Sequence, residues 1–289
     1  MTGSECSPTV ELAHEIGMPA EVVDRLKRLE RDGLRQACLD DDTDHVLEGL
    51  TEASDRERSW RMIRRLVAPD PDGFAMLYCM LTAAARYTRR WYRQQGIGDD
   101  VFLDTMKAFT RFTCESLDRH GHYAFDRDFW TYRQLSLTLF RTGTLEYEHV
   151  DGEQVPKVLR ARPMPQAVSL HIPSDADMHE AVVDDSLCRW RSFEEMFRPQ
   201  WLGLPLICES WLLSPQLRHL LPSDSRILAF QRRFEIVSCD WDSPDWREWV
   251  FDANPAPVEQ LPENTALRKA MKRHLLAGGK IGVGIGVLS

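Results

Sequence analysis

The chain has 289 residues, 43% hydrophobic and 28% charged, the balance of a folded protein with one large core or two smaller ones. Its 36 basic residues are outnumbered by 45 acidic ones, and this net charge of −9 excludes nucleic acid or an anionic membrane surface as the default partner. Seven cysteines (Cys6, Cys38, Cys79, Cys114, Cys188, Cys208 and Cys239), odd in number and without a CxxC pair, read as reduced thiols of a cytoplasmic protein rather than a disulfide framework.

Helix signals run almost without a break from residue 9 to about 138. MPAEVVDRLKRLERDG places Pro19 at a first turn and Gly33 just past the last, with Val22, Val23, Leu26 and Leu29 as the apolar stripe. Asp40–Asp44 reads as a solvated acidic loop; its spacing is not that of an EF-hand. Trp60, Ile63, Leu66 and Val67 form a second stripe, ended by the turn Asp70-Pro71-Asp72-Gly73. The longest helix is expected over Phe74–Gln95, followed by one over Val101–Leu117 that Asp99 or Asp100 caps, and a short one near Asp126–Leu135. His120 and His122 are too close together, and too far from other ligand types, to argue a zinc site, so no metal is expected.

The texture changes near Leu137. LTLFRTGTLEYEHV alternates like a hairpin, with Thr142-Gly143 as its turn. Val155–Arg160 and Val168–Pro173 continue as strands. The segment His179–Phe197 is helical, and Leu204–Leu213 is a longer apolar run. Two apolar runs joined by a crossover helix imply parallel strands. Ser214 is placed to cap a short helix with Pro215 at its first position. Ile227–Ile236 puts Leu228, Phe230, Phe234 and Ile236 on one face at period two, a strand. Asp245–Asp252 reads as a Trp-rich strand and Thr265–Leu276 as a basic helix. In the last segment Ile281, Val283, Ile285 and Val287 alternate with Gly282, Gly284 and Gly286. This is a final strand whose apolar face packs into the sheet and whose bare face lets something bulky lie flat. No run approaches the roughly 18 apolar residues of a membrane span, and the N-terminus carries no signal segment.

These readings give an α+β protein: residues 1–137 a helical domain, residues 138–289 a mixed, partly parallel sheet flanked by helices. Ligands of such sheets bind outside the carboxyl ends of parallel strands. The polar residues there are His171 and Glu209, which would share one cleft if their strands are neighbours. A buried carboxylate beside an imidazole suits a general base for an amine, and equally a polar pair satisfied at a strand end. Ser210 is placed either to protonate a leaving group or to bond backbone. Glu146 and Glu148, two apart on one strand face, read as a solvated rim that attracts cations. Cys208 has no partner that would make it a nucleophile and reads as core.

Three stretches together resemble a known family: FRTGTLEYE (Phe140–Glu148), LHIP (Leu170–Pro173) and CESWLLSPQLRHLLPSDSRILAFQRRF (Cys208–Phe234). With YRQQGIGDDVFLDTM (Tyr92–Met106) and HGHYAF (His120–Phe125), the chain resembles the GNAT-like acyltransferases of actinobacteria and related bacteria, in which a helical N-terminal domain precedes a GNAT-type domain. The resemblance implies transfer of an acyl group, with acetyl-CoA or another acyl-CoA as co-substrate, to a small-molecule or peptide amine. It implies that two neighbouring strands splay so that a backbone amide polarises the thioester. It also implies that the loop Ile172, Pro173, Ser174, Asp175, Ala176 and Asp177, leading into a helix, holds the CoA diphosphate. The loop departs from the family pattern: it has two carboxylates and neither glycine nor a basic residue, which favours the alternative of a GNAT-shaped binding or regulatory module that has lost catalysis. A homodimer is left open.

Overall fold

The computed structural model describes residues 7–38, 40–160 and 164–288; Cys6 and the start of the N-terminus lie outside them. The chain divides into two compact units, Met1–Thr142 and Gly143–Ser289.

The first unit is helical up to its last strand. Ala20–Leu29 follows Pro19 and buries Val22, Val23 and Leu26, as its stripe predicts. Phe74–Ala83 is buried on nearly every side and continues through a π-helical turn, Ala84–Thr88, into Arg89–Gln94. A helix apolar all round must lie in the middle of its domain. Among the described residues Asp99–His120, at 22 residues, is the longest single helix instead, and Gly98 rather than an aspartate occupies its N-cap. Asp40–Asp44 is not a loop: Asp41–Gly49 is a helix with Asp41, Asp42 and Asp44 in its first turn, where negative charge meets the positive end of the helix dipole. Asp128–Leu135 and strand β1, Leu139–Thr142, close the unit.

The second unit is built on β2 (Leu145–Asp151), β3 (Gln166–His171), β4 (Leu206–Ser210), β5 (Phe234–Asp240) and β6 (Val283–Leu288), which lie side by side as β2-β3-β4-β6-β5. Gly143, between β1 and β2, has φ +75°, and a Cβ there would stand 3.0 Å from Ser186 Cα, so the turn needs glycine. β2 and β3 are antiparallel, with Glu146 opposite His171 and Glu148 opposite Ser169. β3 and β4 are parallel neighbours, as the apolar–helix–apolar pattern predicts, with Ser169 opposite Ile207. The connection between them is the helix Glu180–Phe197. Its Trp190 ring stacks on Tyr147 of β2 at 4.5 Å, so it covers the Tyr147 face of the sheet.

The last strand inserts between β4 and β5, antiparallel to both. Its glycine face is the more deeply buried one: Gly284 and Gly286 are buried while Ile285 and Val287 are half-buried. What lies flat on that face is the 3-10 turn Trp211–Leu213; a Cβ on Gly284 would be 2.4 Å from the Leu213 carbonyl oxygen. Ile281 precedes the strand and joins a separate core with Leu217, Leu228, Val250, Phe251, Leu261 and Met271.

Four expectations fail locally. Ile227–Ile236 is not one strand: Arg226–Gln231 is a helix burying Leu228, Ala229 and Phe230, and β5 starts only at Phe234. Asp245–Val250 is a helix, because Trp246 and Val250, one turn apart, both turn to that separate core. Val155–Arg160 holds a single 3-10 turn, Lys157–Leu159, and no strand. Ser214 caps no helix: it is fully buried, and its Oγ accepts from the Gly282 N–H at 3.2 Å, while the next helix is Leu217–Leu220. The basic helix forms as predicted, Ala266–Leu276, with Thr265 Oγ1 accepting from the Arg268 N–H at 3.1 Å.

Candidate functional site

The parallel pairing of β3 and β4 ends at Ser169–Ile207, although β3 runs on to His171 and β4 to Ser210. Beyond that pair no ladder pairing between the two strands continues among the described residues, so a seam between them would lie at their carboxyl ends. The alternation of side chains then sorts the candidates. Glu146, Glu148, Ser169, His171, Ile207 and Glu209 share one face; Tyr147, Leu170 and Cys208 share the other, under the helix Glu180–Phe197.

On the first face His171 finds a partner, but not the one expected. Its Nε2 lies 3.0 Å from Oε2 of Glu148 on the adjacent strand. Glu146 and Glu148 are each only 2% exposed, so they are buried carboxylates rather than a solvated rim. Strand pairing brings Glu148 beside His171, a relation that depends on the β2–β3 register; the two-residue spacing of the glutamates was the available signal.

Glu209 is exposed, contrary to its reading as a buried core residue. It shares the sheet face of His171 and has acidic neighbours: partial desolvation, then Asp245 and Asp240, push its carboxyl above the ordinary glutamate range. Ser210 bonds backbone, its Oγ accepting from the Leu212 N–H at 3.1 Å as it caps the turn Trp211–Leu213. Cys208 is fully buried, and burial pushes its thiol up, the opposite of what a nucleophile needs.

The loop Ile172–Asp177 leads from β3 to the first turn of Glu180–Phe197, as the sequence places it. The Ala176 N–H closes a turn on the Pro173 carbonyl at 3.0 Å, and the Asp177 N–H donates to Thr144 Oγ1 at 2.7 Å. Asp177 turns its carboxylate back on the chain: Oδ1 accepts from the His179 N–H at 3.0 Å and meets His179 Nδ1. His179 is the N-cap residue; its side chain makes no capping bond, while its carbonyl accepts from the Val182 and Val183 N–H groups, each at 3.0 Å. Among the described residues no group of three or more His, Cys, Asp or Glu could hold a metal ion. No described helix is long and apolar enough to cross a membrane.

Two family models match the chain. Residues 8–137 match the N-acyltransferase N-terminal domain, and residues 139–288 match the GNAT-like C-terminal domain. A search of curated proteins found no match. Among solved structures, an acyltransferase in complex with decanoyl-CoA is similar over 97% of this chain and 86% of its own, at 22% identity and a TM-score of 0.72. An acyltransferase in complex with decanoyl-CoA and teicoplanin is similar over 98% and 99%, at 19% identity and a TM-score of 0.65. One in complex with CoA and 10C-teicoplanin covers the same shares at 19% identity and a TM-score of 0.66.

Proposed function

Because the chain belongs to the family that joins an N-acyltransferase N-terminal domain to a GNAT-like C-terminal domain, we propose that it transfers an acyl group from an acyl-CoA to an amine carried by a small molecule or peptide. The observation that carries this is that the β3–β4 pairing ends at Ser169–Ile207 while β3 runs on into the loop that leads to the N-cap of Glu180–Phe197, which has no side-chain cap. The division between the two domains is proposed near residue 137.

Acyl-CoA supplies an activated thioester; the chain's own residues bind it and handle the proton. Ile172, Pro173, Ser174, Asp175, Ala176 and Asp177 would carry the diphosphate on backbone N–H groups at the head of the helix. A backbone N–H in the seam would polarise the thioester carbonyl. The acceptor enters over the face that holds the exposed Glu209, whose negative charge attracts a protonated amine. Glu209, with its raised affinity for a proton, takes the proton from that amine; His171, held by Glu148, orients the nucleophile. Ser210 Oγ accepts from the Leu212 N–H and still has its own O–H to give, so it is the group placed to protonate the leaving thiolate as the amide bond forms. The solved neighbours carry decanoyl-CoA and a glycopeptide, which supports a longer acyl chain than acetyl and a bulky acceptor.

The test is thiol release, followed with a chromogenic disulfide, over acyl-CoAs from acetyl to decanoyl and a panel of amines including glycopeptides. Turnover with one donor–acceptor pair is the expected result. The loop without glycine or basic residue favours a second reading, a binding module. Acyl-CoA binding in calorimetry without turnover on any amine would establish that reading, and absence of binding at millimolar decanoyl-CoA would overturn both.

A further inference from the structure

Two buried thiols that the acyl transfer does not use meet in the helical unit. Cys38 Sγ and Cys79 Sγ lie 3.6 Å apart, on residues 41 apart in the chain, and the two residues are 2% and 0% exposed. Both are free cysteines. A disulfide needs its sulfurs about 2 Å apart, so a small shift of one side chain separates this contact from a bond. The two sides are held unequally. Cys79 stands in the middle of Phe74–Ala83, which is buried on nearly every side. Cys38 ends the single-turn helix Arg35–Cys38, which follows a π-helical turn, Glu30–Leu34, broken at Gly33 with φ +101°. One turn of helix has little stability of its own, and such segments open ahead of the core around them. Cys38 is therefore the sulfur that reaches solvent first. Its surroundings suit that role: the bond from Cys79 does most to lower its thiol below the ordinary range, burial opposes this, and the charge of Arg86 adds to the pull. The same bond, with burial, pushes the Cys79 thiol up, so it keeps its proton.

We propose that Cys38 and Cys79 are a redox pair, which a hydroperoxide converts to a disulfide that ties Arg35–Cys38 to the central helix Phe74–Ala83. In the first step the Cys38 thiolate attacks one peroxide oxygen. The O–O bond breaks, Cys38 becomes a sulfenic acid, and the other oxygen leaves with the proton that the thiol gave up. In the second step the Cys79 sulfur attacks the Cys38 sulfur. The S–S bond forms, the S–O bond breaks, and the hydroxide leaves as water with the Cys79 proton. Two thiols lose two electrons to one hydroperoxide, which ends as one water and one alcohol, or as two waters from hydrogen peroxide. The new bond closes a loop that carries the helices Asp41–Gly49 and Arg56–Leu66, and such a closure restricts the unfolded chain.

The experiment treats the reduced full chain with hydrogen peroxide, blocks the remaining thiols with iodoacetamide in denaturant, and maps the peptides by mass without reduction. The expected product is a cross-linked Cys38–Cys79 peptide pair, lighter by two hydrogens, which dithiothreitol reverts. It should form while the buried Cys208 stays a thiol. The oxidised chain should melt about 5–10 °C above the reduced one, and Cys38→Ser should show no such rise. Cys79→Ser removes only the second step, so dimedone, which traps sulfenic acids, should label Cys38 in this variant several-fold more than in the wild type. Oxidation confined to the exposed Cys114 and Cys188, with Cys38 and Cys79 still thiols, overturns the proposal. So does a cross-link that forms only in the unfolded chain, or one that leaves the melting temperature unchanged. Equal dimedone labelling of wild type and Cys79→Ser overturns the order of the two steps. The peptide map needs only the wild type, so a variant that fails to fold leaves the test intact.

Discussion

His171 on β3 and Glu148 on β2 form a side-chain pair across the sheet, Nε2 to Oε2 at 3.0 Å, with the carboxylate almost wholly shielded from water. A buried carboxylate fixes the ring orientation of an imidazole and favours a proton on the nitrogen it faces. The pair therefore presents a rigid group at the end of β3, beside the seam.

If this pair orients the amine, Glu148→Gln keeps the shape and removes the charge. Turnover should fall by about tenfold to a hundredfold, less than the roughly 10²–10⁴-fold expected when the proton acceptor itself is lost. Binding of decanoyl-CoA should not change. Steady-state kcat and calorimetric Kd on the same preparation check both halves. A larger loss in His171→Gln than in Glu209→Gln would exchange the roles assigned to the two residues.

Glu209 carries the pH prediction. A carboxyl raised above its unfolded value is less stable when ionised in the folded chain: the folded state holds its proton to higher pH than the unfolded state does. Stability is lost as pH rises from the ordinary glutamate value through the raised folded one. Glu209→Gln should therefore raise the melting temperature at neutral pH, and the gain should vanish below about pH 4, where the group is protonated in both states. The same variant should lower turnover by about 10²–10⁴-fold and abolish the acid limb of kcat/KM. That limb should lie above the ordinary glutamate range in the wild type. A variant with wild-type activity and an unchanged limb would exclude Glu209 as the base.

Much of the frame was legible because local pattern and tertiary demand agree. Two apolar runs around an amphipathic helix have few solutions other than parallel neighbours, and β3 and β4 are parallel. Alternating glycine at the end of the chain had to be a strand under something flat, and the turn Trp211–Leu213 lies there. Where the reading failed, two periods fitted the same residues. Leu228 and Phe230 satisfy alternation with Phe234, yet Leu228, Ala229, Phe230 and Gln231 are also the buried residues of a short helix, and nothing local decides between them. Trp246 and Val250 already had helical spacing, which their aromatic neighbours Trp249 and Phe251 obscured. The His171–Glu148 pair was out of reach for another reason: it depends on a register between strands that no local pattern carries.

Cys208 offers a control on the chemistry. It sits on β4 next to Glu209 but faces the covered side of the sheet, fully buried, with its thiol pushed up by that burial. Cys208→Ala should keep turnover within about threefold and cost about 1 kcal/mol of stability for the lost sulfur contacts. Iodoacetamide on the native chain should label the exposed Cys114 and Cys188 and spare Cys208, which peptide mass mapping reads directly. Inactivation tracking alkylation of Cys208 would reopen covalent catalysis.

The terminal strand gives the sharpest test of the fold around the seam. β6 is the only link between β4 and β5 in the described sheet, so the position of β5 depends on it. The Trp211–Leu213 turn, which leaves the end of β4 directly after Ser210, rests on Gly284 with no room for a side chain. In Gly284→Val the new branches meet the Leu213 carbonyl, a backbone atom that cannot swing aside, so the turn must move. The expected cost is about 1–3 kcal/mol, in line with overpacked cores. Because the turn carries the end of β4, turnover should fall as well, even in variant protein that remains folded. Removal of residues 280–289 is more severe: it uncovers β4 and β5 together and takes away Ile281 and Val283, each worth about 1.5–3 kcal/mol when buried. The shortened chain should be insoluble or melt without cooperativity. Soluble, cooperatively folding protein lacking that segment would refute the placement of β6 between β4 and β5, and with it the seam on which the site is built.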